Sequence, residues 1–224
     1  SQNFPNEEKD VILSTGEQIS CALIAGKLNL LGYKSRSWLG WQLPIITRGK
    51  YSSSRIIKIQ KTKIIKYLKS GGIPIVTGFQ GINSDFRITT LERGGSDTSA
   101  ILCAKFFNAK KCIIYTDVEG VYTTDPNLTK SAKKINKISY EEMLEMASLG
   151  AKVMQPASIQ EARLNRIEID VKSTFSKKSG TTITKKRNIT GKNIIRGISF
   201  TKNDAKLTLL GVKDKPGIAA SIFK

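Results

Sequence analysis

Short apolar runs alternate with segments of helical periodicity along most of this 224-residue chain. Apolar runs bounded by Gly or polar clusters predict strands, and apolar residues that recur every three or four positions predict helices. The predicted strands are residues 11–13, 33–37, 73–77, 111–115, 168–173 and 180–183. The predicted helices are residues 14–31, 62–69, 96–108, 140–148 and 156–165. This alternation favours an α/β sandwich with a largely parallel sheet.

The composition changes to Lys, Ser, Thr and Gly between residues 176 and 193, which predicts a domain boundary. We therefore expect one domain over residues 1–187, and a linker with the beginning of a second domain over residues 188–224. In that second part, residues 194–200 and 206–211 alternate as a β pair, and a turn at 213–217 leads into a helix at Ile218.

The most informative motif is Arg93-Gly94-Gly95-Ser96-Asp97, which follows an apolar strand-like run. Two glycines let the backbone approach a ligand closely, and the helix start beyond them offers unpaired N–H groups to an anion. Arg93 adds a planar cation suited to a carboxylate or a phosphate. Ser96 and Asp97 cannot both cap the helix, so one side chain, such as the Asp97 carboxylate, is left to orient a cation. The alternative is that the segment is only a turn and a helix cap.

Two further segments carry candidate chemistry. Ser14-Thr15-Gly16-Glu17 has the spacing of a capping box, and Glu17 would otherwise recognise an ammonium group. Residues 115–126 follow a buried strand at its carboxyl end, where open α/β sheets bind ligands. Their hydroxyls and carboxylates, Asp117 among them, suit ribose and phosphate contacts, although Asp125-Pro126 could be a plain turn and Tyr122 a core residue. Lys152 is either an exposed lysine at a helix end or a point cation for a phosphate.

The charge distribution and the length of the apolar runs indicate whether a nucleic acid or a membrane is a partner. The formal net charge is +19, which would suit a polyanion, but the lysines are spread along the whole chain. Only residues 185–187 form a basic run, so we expect no nucleic-acid partner. No apolar run approaches the roughly 20 residues of a membrane span, so we expect no membrane partner.

Residue counts narrow the chemistry. The chain contains no histidine, which excludes Ser-His-Asp triads, Cys-His pairs and histidine metal sites. Its three cysteines have no Cys-x-x-Cys spacing, which indicates core packing in a reducing cytoplasm rather than a metal centre. The P-loop, the Gly-x-Gly-x-x-Gly motif and the His-Arg-Asp and Asp-Phe-Gly patterns of protein kinases are missing too. ATP, if bound, is held in another way.

Taken together and in order, seven segments of the chain resemble the aspartate kinases of the amino-acid kinase superfamily. They are residues 13–20, 40–42, 78–81, 89–100, 115–126, 138–143 and 150–153. Residues 211–219 resemble the opening of an ACT regulatory domain. The resemblance implies a three-layer sandwich with a mainly parallel central sheet, followed by a truncated ACT-like α+β segment.

The activity that the resemblance implies is transfer of the ATP γ-phosphate to the β-carboxylate of L-aspartate, with Mg²⁺ bridging the phosphates. Glu17 would hold the substrate ammonium group, Arg93 a substrate carboxylate, and Gly94, Gly95 and Ser96 would border the substrate. Asp97 would position a phosphate-binding lysine. The implied nucleotide contacts are Thr116, Asp117, Tyr122, Thr123, Thr124, Asp125, Pro126, Asn127 and Lys152. An ACT segment implies effectors such as lysine or threonine, and a homo-oligomer.

The sequence departs from the family pattern in four places. The family's first strand, with Lys-Phe/Tyr-Gly-Gly, is not found, so we expect the N-terminal part of the fold to be missing and this chain to be an internal fragment. Glu92 replaces a glycine beside the phosphates, Asn127 replaces a frequent arginine, and Gln155 stands where histidine is usual. Two alternatives remain: a non-catalytic module of the same fold that only binds ligand, and a basic nucleic-acid binder.

Overall fold

A computed structural model describes residues 4–151, 153–185 and 197–199 of the chain. Nearly all of the predicted first domain is therefore described. The predicted β pair and the helix from Ile218 lie outside the described residues, apart from 197–199, which belong to no helix or strand. The proposed boundary after residue 187 stays a prediction.

Helices and strands alternate as expected for an α/β protein. The helices of the described chain are α1 (Asn6–Leu30), α2 (Thr62–Lys69), α3 (Gly95–Phe106), α4 (Tyr140–Ser148) and α5 (Pro156–Asn165). The strands are β1 (Ser35–Trp38), β2 (Ile45–Lys50), β3 (Ser53–Ile59), β4 (Ile73–Val76), β5 (Gln80–Ile82), β6 (Ile88–Thr90), β7 (Lys111–Thr116), β8 (Lys137–Ser139), β9 (Glu168–Ser173) and β10 (Thr181–Thr184).

One half of the fold is built on the sheet β7-β9-β10-β8. β7 runs parallel to β9, β10 runs antiparallel to β9, and β8 runs parallel to β10. Alternate residues of β7 are buried, whereas β9 is buried at three consecutive residues, 169–171. The apolar buried residues of both strands pack with α3, α4 and α5 into one core. Its fully buried members include Ile101, Met143, Ile159, Ile169 and Ile183.

The other half contains two sheets, one of two strands and one of four. β1 and β4 form a parallel pair, and β3-β2-β5-β6 form a mixed sheet. α1 packs against β1, β4 and β6, and α2 against β4. A second core is centred on Trp38, Leu43, Ile45, Ile64 and Leu102. The α/β class with mainly parallel strand pairs is therefore confirmed.

The prediction for the start of α1 is wrong. Residues 11–13 are helical, and the helix begins at Asn6, directly after Pro5. The acidic Glu7 and Glu8 lie in its first turn, where the helix dipole favours negative charge. A three-residue apolar run cannot distinguish a strand from a helix, and here it belongs to a helix that begins a turn and a half earlier.

The hairpin of β2 and β3 has no counterpart in the prediction. Its ladder shifts register between Ile46 and Thr47, so the alternation of apolar and polar residues is interrupted. The remaining positions are rich in Lys, Arg and Ser, which hides the strand pattern in the sequence. By contrast, α2, α4, α5 and β9 have the predicted bounds.

No helix among the described residues is long and apolar enough to cross a membrane.

Candidate active site

The inner side of α1 is polar. Asp10 and Ser14 are one helical turn apart and fully buried, and Gln18 follows at the same spacing. Ser14 does not cap a helix, because it lies well inside α1 and its hydroxyl donates to the Val11 carbonyl at 2.7 Å. The predicted capping box is therefore wrong, which leaves Glu17 without that structural role.

Glu17 instead reaches a different helix. Its carboxylate accepts a hydrogen bond of 2.8 Å from the Ser96 hydroxyl in the first turn of α3. The two residues are 79 positions apart in the chain. The structure therefore brings together two predicted site residues that the sequence could only place on separate elements.

Gln80, at the start of β5, holds α1 against this region. Its amide nitrogen donates to the Ser14 carbonyl at 3.0 Å, and its amide oxygen accepts from Gln18 at 3.1 Å. Gln80 is buried, so both bonds lie in an environment where an unpaired amide would be costly. The sequence offered Gln80 only as part of a family segment, with no role attached.

The start of α3 has no side-chain cap. Gly94 is the residue before the first helical position, with φ of 78°, and neither Ser96 nor Asp97 caps the helix. The expectation that one of them caps it is wrong, because Ser96 and Asp97 lie inside the first turn. Among the described residues, the leading N–H groups of α3 have no side-chain acceptor, so they are available to an anion.

Both glycines are required by their surroundings. A Cβ on Gly94 would lie 2.4 Å from the Gln155 side chain, and one on Gly95 would lie 2.7 Å from Leu91 and 2.8 Å from Phe79. Gly94 also has a positive φ that favours glycine. The helix start therefore fits closely between the loop after β4 and the beginning of α5.

Arg93 precedes this helix start and is exposed. Within the described part of the chain, no carboxylate forms an ion pair with it. The neighbouring Glu92 carboxylate accepts a hydrogen bond from the Ser53 hydroxyl on β3. The Glu92 carboxylate, which departs from the family pattern, is thus held by the β2–β3 hairpin. Among the described residues it does not form an ion pair with the Arg93 guanidinium.

Asp97 is half-buried in the first turn of α3. Burial raises the pKa of its carboxyl above the ordinary value. Burial also raises the pKa of Cys112 to about 11, and the Asp97 charge adds to that shift. Asp97 is therefore partly shielded from solvent, and its charge acts on Cys112 in β7.

Asp10 organises the approach to the site, and the sequence analysis did not single it out. Its carboxylate accepts four hydrogen bonds: from the backbone N–H and hydroxyl of Ser52 at 2.9 and 2.7 Å, and from those of Thr90 at 2.7 and 2.8 Å. Ser52 belongs to the turn between β2 and β3, and Thr90 ends β6 three residues before Arg93. The expected strand at residues 11–13 had placed Asp10 outside any helix, so the sequence did not indicate that it lies one turn before Ser14 on a buried helix face.

The predicted nucleotide segment begins where β7 ends. Thr116 lies opposite Ser173, at the matching end of β9, and its hydroxyl donates to the exposed Asp117 carboxylate at 2.9 Å. Because α3 packs on β7 and precedes it by a short connection, the start of α3 and the end of β7 lie toward the same edge of the fold.

Beyond Asp117 the segment is a structured loop. The Tyr122 hydroxyl donates to Glu119 at 3.2 Å, and Thr123 exchanges backbone and side-chain bonds with Lys133. The Asp125 carboxylate accepts from the Asn127 N–H at 2.8 Å across the exposed Pro126, which makes a turn. Thr124 is half-buried between them. Lys152 lies outside the described residues.

Metal binding by protein groups alone has no support in the described residues, where no cluster of three or more His, Cys, Asp or Glu side chains could hold an ion. A magnesium ion carried by nucleotide phosphates needs only one or two carboxylates. Asp117 fits that requirement, because it is exposed and bound by a single hydroxyl.

Comparison with known proteins identifies the family to which this fold and these candidate site residues belong. The sequence model of the amino acid kinase family matches residues 2–173. The chain is 43% identical to an aspartokinase of Geobacillus stearothermophilus over 99% of this chain and 54% of that protein. It is 45% identical to an aspartate kinase of Pseudomonas fluorescens (strain SBW25), over 96% of this chain and 52% of that protein.

Solved structures agree. Aspartokinase III of E. coli in complex with aspartate and ADP superposes with a TM-score of 0.76 at 30% identity, covering 84% of this chain and 43% of that one. The same enzyme in complex with lysine and aspartate gives a TM-score of 0.75. The chain spans about half the length of the curated relatives that it matches. Because the family model matches most of its length and its fold superposes on solved aspartokinases, the chain belongs to the amino acid kinase family.

Proposed function

We propose that this chain carries the substrate- and nucleotide-binding part of an aspartate kinase, which transfers the ATP γ-phosphate to the β-carboxylate of L-aspartate. The observation that carries the proposal is the hydrogen bond between Glu17 and Ser96 in the first turn of α3, which begins directly after Gly94 and its exposed neighbour Arg93. These groups suit a small amino acid: the Glu17 carboxylate would bind its ammonium group, and the α3 start and the Arg93 guanidinium, which has no ion pair among the described residues, would bind its carboxylates.

Each group has a distinct task. Glu17 attracts the substrate ammonium group, while its bond to Ser96 keeps the carboxylate in place. Arg93 pairs with a substrate carboxylate through its planar fork. The N–H groups at Gly95 and Ser96, reinforced by the helix dipole, stabilise negative charge at the acceptor carboxylate.

On the nucleotide side, we assign ribose and phosphate contacts to Thr116, Asp117 and the loop from Tyr122 to Asn127, together with Lys152. Mg²⁺ would enter with ATP and neutralise phosphate charge, with Asp117 as the protein carboxylate nearest to that role. Asp97 would orient a cation that contacts the transferred phosphate. Catalysis in this arrangement consists of positioning and charge neutralisation.

Several finer assignments come with this proposal. The relatives include an aspartokinase solved with lysine, so we infer that the larger protein responds to an amino-acid effector such as lysine or threonine. We also infer a cytoplasmic protein, in agreement with free cysteines at 21, 103 and 112. We expect no retention on duplex DNA at physiological salt.

Isothermal titration of the chain with L-aspartate and with Mg-ADP tests the proposal directly. We expect Glu17→Gln to weaken aspartate binding at least tenfold, which is about 1.4 kcal/mol. Glu7→Gln, an exposed change on the same helix, is the matched control. Arg93→Lys should weaken aspartate binding as well, with Arg48→Lys as its control. Unchanged aspartate affinity in Glu17→Gln would reject the assigned site.

A coupled assay of ADP release distinguishes an active aspartate kinase from a module of the same family that only binds ligands. Phosphorylation of aspartate supports the kinase, whereas binding without turnover favours a ligand-binding module of the same family. Binding of neither ligand rejects both.

A further inference from the structure

Residues 116–127, here called the nucleotide segment, include every described residue to which we assign a nucleotide contact. The start of this segment is held by the end of β9. The backbone N–H of Thr174, directly after that strand, donates to the Thr116 carbonyl at 2.8 Å, and Thr116 pairs with Ser173 in the parallel ladder. The first residue of the segment is therefore positioned by ordinary backbone bonds of the sheet.

The middle of the nucleotide segment lies beside a later stretch of chain. Residues 121–123 and 133–135 are joined by backbone hydrogen bonds of 2.8 and 2.9 Å and by an isolated antiparallel bridge between Tyr122 and Lys134. Two short paired segments have little stability in water unless a further strand supports them. The pair therefore needs an attachment to the sheet below it.

Thr181, the first residue of β10, supplies that attachment. It is 1% exposed, and its hydroxyl accepts a hydrogen bond of 2.8 Å from the Val121 N–H and donates one of 2.6 Å to the Ile135 carbonyl. Val121 belongs to one of the two paired segments and Ile135 to the other. Because a hydroxyl can donate and accept at the same time, one side chain joins both segments to β10.

The surrounding backbone makes Thr181 a firm support. Thr181 pairs with Val171 of β9, and the next residue, Thr182, donates its backbone N–H to the Asn136 carbonyl at 2.9 Å. The loop approaches this support closely, since a Cβ on Gly120 would lie 2.6 Å from the Thr181 hydroxyl oxygen. Thr181 thus belongs to the sheet, and the nucleotide segment is placed against it.

Lys178 makes a second contact with the same segment, and this one is exposed. Its ammonium group lies 3.0 Å from the Glu119 carboxylate, which also accepts from the Tyr122 hydroxyl at 3.2 Å. The Lys178 side chain is 69% exposed, and an ion pair so accessible to water contributes little to stability. The loss of the buried Thr181 hydroxyl would instead leave two buried backbone groups without a partner, which costs more.

We propose that Thr181 is a positioning residue for the nucleotide, acting through Val121 on the adjacent Tyr122 and the loop that follows it. The inference rests on the proposed function, in which that loop contacts the ribose and phosphates of ATP. Thr181 itself holds the loop and does not contact the nucleotide.

The same geometry separates the two ligands. Glu17 and Ser96 lie on α1 and α3 and are hydrogen-bonded to each other, so their arrangement does not depend on β10. Thr181 should therefore influence the affinity for the nucleotide and leave the affinity for aspartate unchanged. A residue that only stabilised the fold would affect both ligands alike.

Isothermal titration with Mg-ADP and with L-aspartate tests this separation. Thr181→Val keeps the shape of the side chain and removes the hydroxyl. It should weaken Mg-ADP binding at least tenfold and leave aspartate affinity within twofold of wild type. Thr181→Ser keeps a hydroxyl and should retain most of the Mg-ADP affinity. Thr184→Val is the matched control, because Thr184 is buried on the same strand and its hydroxyl has no hydrogen bond among the described residues.

The outcomes distinguish this proposal from the proposed function. Equal Mg-ADP affinities for Thr181→Val and wild type would overturn the positioning role and leave the kinase assignment intact. Equal losses of Mg-ADP and aspartate affinity would show a general structural role and overturn it as well. A wild-type chain that binds aspartate and no Mg-ADP would reject the nucleotide assignment, and the role of Thr181 with it.

Hydrogen–deuterium exchange of the unliganded chain, followed by mass spectrometry, tests the attachment without any nucleotide. Thr181→Val should speed exchange in peptides from residues 117–127 at least tenfold, while exchange in α5 stays at the wild-type rate. Thr181→Ser should exchange like wild type. Unchanged exchange over residues 117–127 in Thr181→Val would overturn the proposal, and so would an equal acceleration in α5, because it would indicate global unfolding.

Discussion

The buried carboxylate of Asp10 receives both the backbone N–H and the hydroxyl of Thr90, at 2.7 and 2.8 Å. The same carboxylate receives both donors of Ser52. One side chain of α1 thus fixes the end of β6 and the turn of the β2–β3 hairpin. Since Arg93 follows Thr90 by three residues, Asp10 sets the position from which the segment 91–94 leads to α3.

Asp10→Asn should destabilise the fold by about 3 kcal/mol, because the amide nitrogen cannot accept the donors that now point at the carboxylate. Urea denaturation followed by circular dichroism measures the change as a lower midpoint. Asp85→Asn, at an exposed loop position, should shift stability by no more than about 0.5 kcal/mol. Equal midpoints for the two variants would contradict the role given to Asp10.

Gly94→Ala should cost about 2 kcal/mol, since it adds a Cβ that overlaps Gln155 and places alanine at a positive φ. Combining it with Gln155→Gly removes the overlap and leaves only the backbone strain. A double-mutant cycle in urea should therefore show partial recovery. Strictly additive losses would show that the two residues do not meet.

Asp97→Asn should stabilise the protein at pH 7. Burial raises the pKa of the Asp97 carboxyl, so the folded state binds the proton more tightly than the unfolded state does. The stability linked to that proton is present below the unfolded pKa and is lost as the pH rises through the folded pKa.

Thermal melts of Asp97→Asn and wild type from pH 3 to pH 8 measure the difference. The advantage of the variant should be largest above the folded pKa and should vanish below the ordinary Asp pKa of about 4. A variant less stable than wild type at pH 7 would mean that the ionised carboxylate has a compensating partner.

The cysteines should be unreactive in the folded protein. Burial raises the pKa of Cys103 to about 12, with the neighbouring Cys112 adding to the shift, and burial raises the pKa of Cys112 to about 11. Thiols rather than thiolates are then present at pH 8, and only the thiolate reacts quickly. Titration with a thiol reagent should be slow in buffer and complete in urea. Rapid labelling in buffer would contradict this burial.

The local pattern of apolar and polar residues was sufficient to predict several of the helices and strands. The helices α2, α4 and α5 and the strand β9 have their predicted bounds, because each has a clear period, and α2 and α5 also have a boundary signal in the sequence. For α5 the signal is Pro156 at the first helical position, and for α2 it is the glycine pair that follows. Such signals depend only on residues adjacent in the chain, so they can be identified from the sequence alone.

Position within an element was harder to infer. The residues Ser14 and Glu17 have the spacing of a capping box, yet they lie in the middle of a helix. Ser96 and Asp97 were expected to supply a cap, and the helix begins without one. In both cases the residue types are right for a helix end, but the backbone geometry that distinguishes a cap from a first or second turn is not encoded in residue types alone.

By itself, the sequence determined the α/β class and the family resemblance, and it supplied the candidate site residues, since these follow from local periodicity and from motifs in a fixed order. Only the tertiary structure decided that Glu17 meets Ser96, that Asp10 joins Ser52 to Thr90, and that the apolar side of α1 faces outward. Those relations join residues far apart in the chain. They arise because one face of α1 packs against β1, β4 and β6. The local sequence pattern does not indicate which face of the helix will pack inward.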